Sequence, residues 1–78
     1  MRVTDDQIHV LEKLEAFNGT ASYDQIQSAV DVRILRRLRS EVKALRDLHL
    51  VLKSATGRYS LTVSGREHLH VRRTQLAA

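Results

Sequence analysis

Residues 31 to 49 constrain this chain more than any other stretch. Leu35, Leu38, Val42, Leu45 and His49 recur in alternating steps of three and four, which at helical periodicity forms one stripe, with Ile34 at its edge. Arg33, Arg36, Arg37, Ser40 and Lys43 point roughly the opposite way, and Arg39 and Arg46 flank them. The pattern predicts a helix over 31–47, with Asp31 as its N-cap, one apolar face for a core and one arginine face for a partner.

The rest of the chain must supply that core. A first helix is expected from Asp5 to about Phe17: Thr4 is a good N-cap, Asp5 and Asp6 suit the positive end of the helix dipole, and Ile8, Leu11, Leu14 and Phe17 follow helical spacing with Val10 beside them. Asn18-Gly19 stops that helix. Thr20-Ala21 reads as a bridge of extended chain, too short for more. Ser22 then caps a short helix from Tyr23 to about Ala29, with Tyr23, Ile26 and Val30 facing inward. Beyond the long helix, Leu50-Val51-Leu52-Lys53 and Arg58-Tyr59-Ser60-Leu61 are β-favouring runs around Ser54-Ala55-Thr56-Gly57, a hairpin pattern. Thr62 or Ser64 caps a last helix from about Val63 to Leu76, apolar only at Leu69, Val71 and Leu76. The expected fold is mainly α with a small β-hairpin.

Length and composition bound the rest. The 78 residues make a single domain, 1–78, and with one Phe, two Tyr and no Trp its core must come from Leu, Val and Ile. Such a core stabilises a monomer by roughly 5 kcal/mol or less, which leaves room for dimerisation. The sparse apolar residues of the last helix suit a thin seam, so a homodimer through the first or the last helix is expected, with Leu11 and Leu69 as its test positions. There is no cysteine, which excludes disulfides, thiolate metal sites and cysteine nucleophiles. No run approaches the ~18 apolar residues of a membrane-spanning helix, and Met1 to Asp6 lacks the layout of a signal peptide, so a cytoplasmic protein without membrane contact is expected.

Charge is distributed unevenly. Residues 1–31 carry a net −4, residues 32–58 a net +6 and residues 59–78 a net +2, so the middle segment accounts for the whole excess. One face turned toward a polyanion is the expectation. Catalysis finds no footing. His68-x-His70 is not helical ligand spacing, no strand-turn-helix signature surrounds any Ser, and Asp5, Asp6, Glu12 and Glu15 read as helix-start charges and a solvated face. No enzyme activity, metal, cofactor or small-molecule effector is expected.

The run Tyr59-Ser60-Leu61-Thr62-Val63-Ser64-Gly65-Arg66-Glu67-His68-Leu69 resembles the Tyr-x-Leu-Thr-x-x-Gly-x-x-x-Leu pattern that closes the wing and opens the last helix in many prokaryotic winged helix-turn-helix regulators. Val42 to Val51 resembles the end of their recognition helix and the start of their wing. The likeness covers nearly the whole chain and implies a three-helix core, a wing and a C-terminal helix. His49 stands where that family has Gly at a left-handed helix end, and Ala29-Val30-Asp31 lacks the small residue often found in its turn.

The resemblance also implies a function: sequence-specific binding of double-stranded DNA by a transcriptional regulator. A helix about 10–12 Å wide fits a major groove about 12 Å wide. Helix 31–47 would read the groove, with Arg33, Arg36, Arg37 and Ser40 toward base edges, Arg36 and Arg37 as the direct readers, and Arg39 and Lys43 toward phosphates. The wing 50–61 would place Lys53 and Arg58 on the backbone or minor groove. Tyr59 is expected to pack on the long helix. Winged helices also serve as protein-docking modules without DNA contact, but docking faces seldom carry so many arginines. RNA is a third candidate; scarce exposed aromatics speak against single strands.

Overall fold

In a computed structural model, residues 3–77 are described, with side chains to Gln75. Helix α1 (Asp5–Ala16) begins where Thr4 and Gln7 exchange hydrogen bonds: the Gln7 N–H donates to Thr4 Oγ1 and the Thr4 N–H to Gln7 Oε1. Ser22 and Gln25 repeat this reciprocal box at the start of α2 (Tyr23–Ala29). Between the two helices, Asn18 takes a φ of 63°, and the Asn18 and Gly19 amides donate back to Glu15 and Leu14. That closure satisfies the last carbonyls of α1 and turns the chain.

Two expectations are corrected. The helix predicted over 31–47 is in fact two, α3 (Val32–Leu35) and α4 (Leu38–Asp47), separated by a turn at Arg36 and Arg37. Asp31 caps α3 through Oδ1, as expected. The Arg37 amide then donates to the Ile34 carbonyl, three residues back, and Arg37 sits at φ −109°, ψ 2°. This tight closure buries Ile34 and Leu38 completely and leaves Leu35 37% exposed, so the core stripe is Ile34, Leu38, Val42 and Leu45. His49 is exposed rather than part of the stripe. A repeat of three and four reports the average pitch and cannot register one i to i+3 closure. Thr20 and Ala21, expected as a mere bridge, belong to strand β1 (Thr20–Ser22). Its pairing partner lies some forty residues away, beyond the reach of any local pattern.

That partner is β3 (Arg58–Leu61), which also pairs with β2 (Val51–Lys53), giving an antiparallel sheet ordered β1-β3-β2. Ala21 lies opposite Tyr59, and Lys53 lies opposite Tyr59 on the other side. Helix α5 (Val63–Ala77) follows. The described chain is thus mainly helical, five helices around a small three-stranded antiparallel sheet. Helix α1 is central, packing on α2, α4, α5, β1 and β3, with Val10, Leu11 and Leu14 fully buried. Leu11 and Leu69, the expected seam residues of a dimer, are both buried within their own chain, because α1 and α5 pack on each other. Of the other two apolar residues of α5, Val71 is exposed and the Leu76 side chain lies outside the described residues. Among the described residues no helix is long and apolar enough to cross a membrane.

The run from Tyr59 to Leu69 has a physical reason at each marked position. Tyr59, Leu61 and Leu69 are core residues. Thr62 Oγ1 donates to the His49 carbonyl and accepts from the Gly65 amide, so one hydroxyl caps α5 and ties it to the end of α4. Gly65 lets α5 pass the Leu50 carbonyl, which would lie 2.5 Å from an added Cβ.

The end of α4 is left-handed, as the resemblance implies. His49 adopts φ 61°, its amide donates to Arg46, and the Leu50 amide donates to Leu45, with Leu45 and Leu50 both fully buried. A left-handed L-residue costs roughly 1–2 kcal/mol, while Gly costs roughly 0.5–1 kcal/mol in unfolded-chain entropy. His49→Gly is therefore expected to stabilise the fold by about 0.5–1 kcal/mol, raising the melting temperature by several degrees. Thermal unfolding followed by circular dichroism measures it, and a fall in melting temperature contradicts the strain at residue 49.

Candidate nucleic-acid interface

The basic residues of the middle segment do not form one surface. The carboxylates of α1 and its neighbours sort them. Arg37 Nη2 lies 2.5 Å from Asp6 Oδ2, and Arg33 Nε lies 3.4 Å from Asp31 Oδ2. Arg72 pairs with Asp5 and Arg73 with Glu15, whose hydrogen bond and charge push the Arg73 guanidinium further up. Arg33, Arg72 and Arg73 share a shallow surface depression with Asp5, Asp6 and Glu12. Opposite charges there cancel at short range.

The contrast is the space between α4 and the hairpin. A cleft of about 470 Å³ is lined by Arg39, Lys43, Arg46 and Lys53, with Tyr23, Tyr59, Val42 and Gly57 completing its walls. Among the described residues no carboxylate lines it. Of these four cations, only Lys43 has an ion-pair partner among the described residues, Asp47 one helical turn away at 3.2 Å, and that pair is exposed. Local backbone order explains how the cations meet. Arg39, Lys43 and Arg46 are spaced i, i+4, i+7 along the side of α4 next to its buried stripe, so they line one edge. Strand register brings the fourth: Lys53 lies opposite Tyr59, so it shares the face that Tyr59 buries against the helices.

Aromatic rings fix two of these cations. The Arg39 guanidinium carbon lies 5.9 Å from the Tyr23 ring centroid, and the Lys53 ammonium lies 5.9 Å from that of Tyr59. The two rings are 6.2 Å apart and tilted by 53°. Tyr59 is buried, as its expected packing role requires.

Lys53 and Arg58, grouped as one wing in the sequence, fall on opposite faces of the sheet. Side chains alternate along a strand, so Arg58 points with Ser60 away from the face of Tyr59. Arg36 and Ser40 are exposed at the start of α4. Arg46 is the residue that the expected contact set lacked. Its signal was present in the i, i+4, i+7 spacing with Arg39 and Lys43, but the stripe drawn through Leu35 set it on the flank. Comparison with protein-family models, with curated proteins and with solved structures finds no match.

Proposed function

We propose that this chain is a winged helix that binds double-stranded DNA in a sequence-specific manner and regulates transcription. One observation carries the reading: four cations from two separate elements, Arg39, Lys43 and Arg46 of α4 and Lys53 of β2, line a cleft that holds no carboxylate among the described residues. Around α1 the chain sets Arg33, Arg37, Arg72 and Arg73 against acids; of the cleft cations only Lys43 has such a partner among the described residues. A polyanion is the partner that such a surface attracts. The element order supports the winged-helix reading, since β1 joins the hairpin and α4 stands beside it with its polar side exposed.

In this reading α4, ten residues and about 15 Å long, lies in the major groove. The exposed turn before α4 offers Arg36, and its own first turn Ser40, to base edges, where an arginine pairs two donors with guanine. The cleft cations and Arg58 take phosphates on the flanking backbone, which positions the helix without reading sequence. Two copies related by a twofold axis would serve a palindromic site.

Selection from a pool of random duplexes tests the specificity. Enrichment of one short motif is expected, and Arg36→Ala should erase the preference at a G·C position while binding to random duplex falls little. Binding with no enrichment after repeated rounds contradicts sequence-specific readout. No retention of any duplex contradicts DNA binding and favours a docking module.

A further inference from the structure

Arg37 belongs by position to the basic face, yet it is tied elsewhere. It sits at the turn that opens α4, beside Arg36, and its guanidinium meets the Asp6 carboxylate at 2.5 Å. The two side chains are unequal. Arg37 remains 62% exposed and Asp6 only 26%. Asp6 is also the fixed partner. It stands in the first turn of α1, which the Thr4–Gln7 box locks and whose dipole favours an anion. The chain therefore presents a held carboxylate to an arginine on the edge of its proposed binding face.

A carboxylate oxygen and a phosphate oxygen offer a guanidinium the same hydrogen-bond geometry and the same charge sign. We infer that Asp6 is an internal stand-in for a DNA phosphate, occupying Arg37 in the unbound protein and holding down its affinity for duplex. This rests on the DNA-binding reading above. A phosphate gains Arg37 only by displacing Asp6, so the net gain is small while Asp6 is charged. The neighbouring carboxylates are engaged elsewhere: Asp31 pairs with Arg33 and Asp5 with Arg72. The Thr4 hydroxyl donates to Glu41 of α4 at 3.5 Å, so the start of α1 meets the basic segment at two points.

Fluorescence anisotropy with a labelled duplex, repeated across salt concentrations, tests the inference on wild type, Asp6→Asn, Arg37→Ala and the double variant. Each released phosphate contact adds about 0.9 to the log–log salt slope, and so about eightfold in affinity at about 0.1 M salt. Asp6→Asn is expected to bind about three- to eightfold tighter than wild type with a slope steeper by about 0.9. Arg37→Ala should change wild-type binding by less than about twofold, and should abolish the gain in the Asp6→Asn background. Melting curves of all four proteins check folding, and Asp6→Ser serves as a second release variant.

Wild-type binding with no gain on neutralising Asp6 overturns the inference and leaves the DNA reading standing. A loss in wild type from Arg37→Ala as large as in the Asp6→Asn background overturns it too. Absence of duplex binding in every protein overturns both readings together.

Discussion

Replacing Arg39, Arg46 and Lys53 together by Ala is expected to weaken duplex binding several hundred-fold. The three line the cleft between α4 and the hairpin and have no carboxylate partner among the described residues. Each phosphate they neutralise releases counterions worth about 0.9 in salt slope, so the triple change should flatten the slope by about 2.7 units and cost about 500-fold at about 0.1 M salt. Arg72→Ala with Arg73→Ala provides the contrast. These arginines lie over α1, paired with Asp5 and Glu15. Removing two such positive charges should change affinity by less than about threefold, because neither lines the cleft and each is already paired with a carboxylate. Equal losses in the two variants would mean that net charge, not the cleft, governs binding. Stability should move little in either, since surface substitutions shift folding by about 0.5 kcal/mol and a cation–π contact or a surface ion pair, including that of half-buried Arg72, adds about as much.

The second large effect is on the fold. Gly65→Ala should destabilise the protein by about 2 kcal/mol, although alanine is the better helix former. A Cβ there would stand 2.5 Å from the Leu50 carbonyl oxygen and 2.8 Å from Leu61 Cδ1. The Leu61 methyl can turn aside; the carbonyl cannot, because it already accepts the Thr62 amide at 3.1 Å and anchors α5 to the end of α4. A clash with backbone that cannot give way sits at the top of the overpacking range, about 3 kcal/mol, and a helix-propensity gain of about 1 kcal/mol offsets part of it. For a domain of this size about 2 kcal/mol lowers the melting temperature by roughly 8–16 °C. Gly57→Ala is the control. Nothing lies within 4 Å of an added Cβ at that hairpin position, so only its left-handed φ of 83° opposes the change. Its cost should stay near 1 kcal/mol. Calorimetry that ranks Gly57→Ala as the more damaging would show that the close approach of α5 to Leu50 is not what fixes glycine at residue 65.

The features legible in the sequence are those that a few adjacent residues settle. Thr4, Ser22 and Asp31 cap their helices with their own side chains, and Asn18 and His49 end two helices in the left-handed region. The run from Tyr59 to Leu69 was readable through its likeness to a known pattern, although its Thr62 and Gly65 act on His49 and Leu50, well back along the chain. What escaped depends on partners far along the chain. Strand β1 exists because β3 supplies its hydrogen bonds. The break at Arg36 and Arg37 combines a local tight turn with an ion pair to Asp6, thirty-one residues earlier. The site shows the same division. Periodicity put Arg39, Lys43 and Arg46 on one helix but brought only the first two into the expected contact set, while the placement of Lys53 beside them and of Arg58 on the other face needed the register of a folded sheet.

A salt titration of wild-type binding to duplex DNA tests the central claim most directly. Arg36, Arg39, Lys43, Arg46, Lys53 and Arg58 offer four or five phosphate contacts beyond any base contact, which predicts a log–log slope of about −3.6 to −4.5. A slope near zero, or binding that does not weaken as salt rises, would contradict the assignment of the α4–hairpin face to nucleic acid.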